Sequence, residues 1–123
     1  MTREYVRRFL SSEVPSRSAE QCLYHVIPVP YEASVSYGEG TANGPEAILN
    51  ASDQLELILS NGRAPGERGI FTHVPVECDG EPETVMERIQ AATARVLDMG
   101  GLPVLLGGEH SLTYGALKAL KER

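Results

Sequence analysis

Cysteine is scarce in this chain: Cys22 and Cys78 stand far apart and form no C-x-x-C pair. That excludes a zinc ribbon and a thioredoxin-like redox motif, and a disulfide between them is not expected. No apolar run approaches the roughly 20 residues of a membrane span. Positive charge is also in short supply, with eleven Lys and Arg against seventeen Asp and Glu and a net charge of −6. The cations are scattered from Arg3 to Arg123 without a dense stripe, which argues against nucleic acid as a partner, because phosphate neutralisation needs clustered cations. Near the start, Arg3, Arg7 and Arg8 are interrupted by Glu4 and Glu13, and no apolar signal core follows. A cytoplasmic protein is expected.

What is present is ordinary for a folded domain. The 123 residues are 41% hydrophobic and 23% charged, close to globular averages and sufficient for one core. Residues 1–123 are expected to form a single domain, with 1–21 as an N-terminal extension. The acidic balance mildly favours a cationic small molecule through its long-range field.

Strand and helix signals alternate along the chain. Cys22–Pro30 mixes β-branched and apolar residues and reads as a first strand. Tyr31–Gly44 is rich in Gly, Ser, Thr and Asn and reads as a long ordered loop, a feature often tied to function. Pro45 suits a first helical position. The three- and four-residue spacing of Ala47, Ile48, Ala51, Leu55, Ile58 and Leu59 predicts a helix to about Leu59. Gly69–Cys78 reads as a second strand, edge-like because of Pro75. From Pro82 to Met99 the stripe Val85, Met86, Ile89, Ala92, Val96 and Leu97 predicts a helix stopped by Gly100. Pro103–Leu106 is a continuous apolar strand of the doubly covered kind, and a last helix follows to the chain end. The alternation predicts an α/β, three-layer α/β/α fold with a parallel sheet and right-handed crossovers, of which about three strands are present.

The sharpest local feature is Leu105–Leu117, LLGGEHSLTYGAL. Ligands of open parallel sheets bind outside the carboxyl ends of the strands, and this stretch puts Glu109, His110 and Ser111 at one such end. Gly107 and Gly108 permit a sharp turn, and Ser111 is placed to cap the following helix. Three readings compete for the turn: a phosphate cradle, which Glu109 would oppose; a structural turn with a solvated histidine; and a metal-binding or catalytic His110.

The pentapeptide GGEHS between an apolar strand and a helix resembles the first metal motif of the arginase, agmatinase and formiminoglutamase family. An independent stretch, VPYEASVSYGEGTANGPEAI (Val29–Ile48), is similar to the agmatinase pattern V-P-Y/F-D, S-Y-x-x-G-T, G-P-x-A-I. A weaker match, GIFTHVPVECDGEPETVMERI, occupies the place of the family's second strand and helix. The order and spacing of all three agree with the N-terminal part of that family from about Val26 onward. Two positions depart: Glu32 stands where agmatinases usually carry Asp, and Thr72-His73-Val74-Pro75 stands where an acidic D-x-G-D element is common.

The resemblance implies that His110 ligates Mn²⁺, with Glu109 and Ser111 supporting it and Tyr37 and Asn43 on the substrate side of the loop. It implies a two-manganese hydrolase that releases urea from a guanidino compound, most simply agmatine to putrescine. The family's D-x-H-x-D and D-x-D motifs occur nowhere in the chain, so His110 is expected to lack the remaining ligands and the chain alone to be inactive. The rival reading is a truncated, non-catalytic module that works through assembly. A nucleotide-binding domain using the Gly-Gly turn is a third. The other candidate ligands are His25, His73, Glu77, Asp79 and Glu109; His73 and Glu77 would share a strand face with well-separated tips, and satisfied or exposed histidines at 25 and 73 are expected instead. Expected partners are a small guanidino substrate and further copies in a homo-oligomer, with neither nucleic acid nor membrane.

Overall fold

The computed structural model describes residues 7–33 and 39–122. Three parallel strands form one sheet in the order β2-β1-β3, with β1 at Tyr24–Val29, β2 at Ile70–Thr72 and β3 at Leu102–Gly107. Register sets Tyr24 opposite both Ile70 and Leu102, and Val29 opposite Gly107. Helix α1 (Gly44–Ser52) connects β1 to β2 and α2 (Pro82–Asp98) connects β2 to β3. Helix α3 (Thr113–Lys121) follows β3. The two connections run in opposite directions across the sheet and pack on opposite faces, so they share one hand, as the crossover rule for parallel strands requires. The result is the α/β/α layering expected from the sequence.

Strand geometry divides the side chains of β1 between two layers. Ile27 and Val29 point to the α2 side, where they join Tyr31, Val85, Ile89, Val96 and Leu112 in the principal buried cluster. Helix α3 lies against α2 at Gly115, where a Cβ would come within 2.9 Å of the Ile89 side chain. Only glycine permits that approach. On the other face, α1 and the segment from Arg7 to Val14 cover the sheet. The Leu10 amide donates to Ser52 Oγ and the Phe9 amide to Thr72 Oγ1, both at 2.8 Å, and Leu10 and Val14 are buried.

Several predicted boundaries shift. The first strand is Tyr24–Val29 rather than Cys22–Pro30. Helix α1 ends at Ser52, not near Leu59, and Leu55, Ile58 and Leu59 are exposed. Their spacing fits a helix, but no layer covers their stripe, and burial rather than propensity stabilises most helices of this length. Asp53, just past the end, is drawn to the N-terminal segment by Ser11 Oγ at 2.8 Å and Arg7 at 3.2 Å. The second strand shrinks from Gly69–Cys78 to Ile70–Thr72. Beyond it the chain keeps only spaced bonds to β1, His73 N to the Val26 carbonyl and Val76 N to the Pro28 carbonyl, each 2.9 Å; Pro75 lies between and has no amide to donate. Both cysteines are free thiols.

Candidate metal centre

The site is assembled at the carboxyl end of the sheet from two stretches far apart in sequence, residues 29–42 and 107–111. The end of β3 turns at Gly107 and Gly108, joined by a cis peptide, with Gly108 at φ +76°. A Cβ on Gly108 would lie 2.4 Å from the Val29 carbonyl oxygen and 3.0 Å from two main-chain atoms of Tyr31. The turn therefore sits directly on the chain leaving β1. Hydrogen bonds complete the seam: Glu109 N donates to the Tyr31 carbonyl at 2.8 Å, and Gly108 N to the Thr41 carbonyl at 3.3 Å.

Two carboxylates organise the loop around this seam. Glu109 Oε1 accepts from the Ala33 amide at 2.7 Å, and its other oxygen accepts from the Ser111 hydroxyl. Glu32 Oε1 accepts from Gly40 N at 2.9 Å and Ala42 N at 3.1 Å. Sequence reasoning had noted Glu32 only as a departure from Asp; the signal that marks it is a carboxylate preceding a Gly-rich loop whose amides need acceptors. Tyr31, buried beneath, has its phenol pKa pushed up by burial, with the Glu109 and Cys78 charges adding.

His110 opens a single 3₁₀ turn, His110–Leu112, and its side chain is exposed. Ser111 was expected to cap the helix; instead its hydroxyl donates to Glu109, and no side-chain cap is formed at this turn or at α3. Glu109 occupies the N-cap position and Ser111 lies inside the turn, so its oxygen is not placed to accept from the first amides. Asn43 is exposed and lines a cavity of about 650 Å³ bounded by Pro28, Pro30, Pro45 and Leu49, which does not include His110. Tyr37 lies outside the described residues.

Among the described residues no group of three or more His, Cys, Asp or Glu side chains is placed to hold a metal ion. His110 offers one free-standing imidazole, while the neighbouring carboxylate is engaged with Ala33 and Ser111. The residues fit one ligand position and do not by themselves fit a two-ion centre. His73 and Glu77 do not pair as ligands: His73 instead shares a 2.8 Å hydrogen bond with His25. That bond and the 3.1 Å contact of His25 Nε2 with the Cys22 carbonyl occupy both ring nitrogens of His25 and one of His73.

Residues 23–123 match the profile of the arginase family. The chain belongs to the arginase family. It is 34% identical over 122 residues to an N(1)-aminopropylagmatine ureohydrolase of Synechocystis, covering 94% of this chain and 40% of that protein. A Thermus thermophilus protein of the same name is 41% identical over 105 residues, covering 84% of this chain and 36% of the relative. Among solved structures, an agmatine ureohydrolase of Thermoplasma volcanium superposes with a TM-score of 0.82 at 27% identity, over 94% of this chain and 39% of that one. A Trypanosoma cruzi formiminoglutamase with Mn²⁺ shares the fold, with a TM-score of 0.78 at 19% identity. The chain thus spans about 40% of the length of the arginase-family relatives it matches.

Proposed function

We propose that this chain is the N-terminal part of a manganese-dependent ureohydrolase that hydrolyses agmatine or its N(1)-aminopropyl derivative, releasing urea and an amine. The observation that carries the proposal is the seam itself. Two separated motifs, Val29–Ile48 and the Gly-Gly-Glu-His-Ser turn, meet at the carboxyl end of a parallel sheet and leave an imidazole, His110, projecting from a turn held by main-chain contacts. A metal held there, with His110 as one ligand, would supply Lewis acidity. The chain's own task is positional: Glu109 ties the His110 turn to Ala33 and Ser111, and Glu32 closes the adjoining loop. Tyr37 and Asn43 are proposed on the substrate side of that loop. The relatives named for aminopropylagmatine make that compound a substrate to set beside agmatine. A cytoplasmic homo-oligomer is proposed for the complete enzyme.

A second reading, a non-catalytic module acting through assembly, is favoured by one feature. Strand β3 is an edge among the described strands, with Leu102 51% and Val104 41% exposed, and such an edge is a template for pairing.

Urea release with Mn²⁺ and each of the two substrates separates the readings. The chain of 123 residues is expected to show no turnover, and a chain carrying the sequence encoded downstream of Arg123 to be active and to lose activity on His110→Ala. Turnover by the short chain, or an active long chain indifferent to His110→Ala, would sink the assignment of His110.

A further inference from the structure

His25 and His73 form a hydrogen-bonded relay that begins at the Cys22 carbonyl. The His25 ring is wholly buried on β1. Its Nε2 lies 3.1 Å from the Cys22 carbonyl oxygen, and its Nδ1 lies 2.8 Å from His73 Nε2. A carbonyl only accepts, so His25 Nε2 carries the proton and donates. In the tautomer with a single ring proton on Nε2, His25 offers Nδ1 as an acceptor and His73 donates from Nε2. In that tautomer His73 Nδ1 carries a bare lone pair. No described residue bonds to it, and no buried polar side-chain atom among the described residues lacks a partner, so this nitrogen is open to solvent.

The space His73 borders is a cavity of about 730 Å³ between Phe71–Glu77 and helix α2. Its charged lining is Arg8, Arg88 and Arg95 against the single carboxylate of Glu77, a local reversal in a chain of net charge −6. Arg88 is held in place by donating to the Glu77 and Asp79 carbonyls at 3.0 and 2.8 Å, with Asp79 Oδ1 at 3.6 Å. Arg8 donates to the Val14 carbonyl at 3.1 Å. Burial, then the charges of His25 and Arg95, push the His73 pKa down, which keeps its lone pair available at neutral pH.

We propose that this cavity binds a hydrogen phosphate group, its anionic oxygens facing the arginines and its P–OH donating to His73 Nδ1. The site is separate from the His110 turn and does not depend on the ureohydrolase reading. An anion with no hydrogen to give meets a lone pair at His73 and loses that contact. Sulfate, similar in size and charge, therefore discriminates between general attraction and the specific pairing.

The test is a titration of the full chain at pH 7.5 and constant ionic strength with inorganic phosphate, glycerol phosphate and sulfate, read by histidine ring ¹⁵N shifts. In the free chain, His25 and His73 should each carry their proton on Nε2. Phosphate should move His73 Nδ1 and leave His110 still, and should bind about tenfold more tightly than sulfate, the value of one hydrogen bond to a charged group. At this pH a phosphate monoester, with a second pKa of about 6, is mostly the dianion without a P–OH, so the inorganic ion should bind more tightly than glycerol phosphate, and tighter binding of glycerol phosphate would overturn the pairing. Arg95→Gln, an exposed helix substitution, should weaken phosphate about tenfold without altering the His25–His73 tautomers. The proposal is overturned if phosphate and sulfate bind alike, if neither phosphate compound moves His73, or if His73 is protonated at Nδ1 in the free chain.

Discussion

Replacing Gly108 with alanine tests whether main-chain contact holds the turn that carries His110. The new Cβ would stand 2.4 Å from the Val29 carbonyl oxygen and 3.0 Å from the amide nitrogen and carbonyl oxygen of Tyr31. These atoms belong to β1 and its continuation and cannot swing aside. Gly108 has φ +76°, a region that costs an L-residue about 1–2 kcal/mol. Overpacking adds about 1–3 kcal/mol. The sum, about 2–5 kcal/mol, is a large part of the 5–15 kcal/mol that stabilises a typical domain. With an unfolding entropy of about 2.1 cal/mol/K per residue, each kcal/mol lowers the melting temperature by about 4 °C. A fall of about 8–20 °C follows, readable by circular dichroism. Gly107→Ala is the control. Its Cβ would meet Leu112 Cδ2 at 2.2 Å, the tip of a side chain that can rotate, while the nearest main-chain atom among its close neighbours, Glu109 O, is 3.9 Å away. A forced rotamer costs about 1 kcal/mol. The reasoning fails if Gly108→Ala melts within about 2 °C of the parent, or above Gly107→Ala.

Glu32→Gln should speed hydrogen exchange at the Gly40 and Ala42 amides by about tenfold, because a charged acceptor is replaced by a weaker neutral one; unchanged exchange would show that the carboxylate does not close the loop. His73 has its pKa lowered in the fold, so the unfolded chain binds more protons just below the ordinary value near 6.5. Its contribution to stability is therefore present above that pH and is lost as pH falls through the folded value. Urea midpoints should drop on acidification from about pH 7, and His73→Gln should flatten that slope; equal slopes would remove His73 as the cause. Ile89, fully buried where α2 meets Gly115, should cost about 2–5 kcal/mol as Ile89→Ala in a denaturant titration, and a loss under about 1 kcal/mol would mean that α3 is not held against α2.

What could be read from the residues follows from how local each signal is. Helix α2 was legible because a sustained apolar stripe ends at Gly100, and its start and length need no distant partner. The Leu105–Leu117 stretch was legible for the same reason: an apolar strand, two glycines and a histidine lie together in the chain. The end of α1 was not, since Leu55, Ile58 and Leu59 repeat correctly and only the missing layer leaves them exposed. Nor was the short β2, where pairing with β1 lapses after Thr72.

The sequence alone determined the layer order, the parallel sheet and the position of His110, because periodicity and Gly-Gly punctuation are properties of neighbouring residues. Tertiary structure decided what holds that position. Ala33 and Glu109 are 76 residues apart, and His25 and His73 are 48 apart. Pairings of that kind depend on which strand lies beside which, so the support of the turn and the relay beneath the arginine-lined cavity exist only once β1 has β2 on one side and β3 on the other.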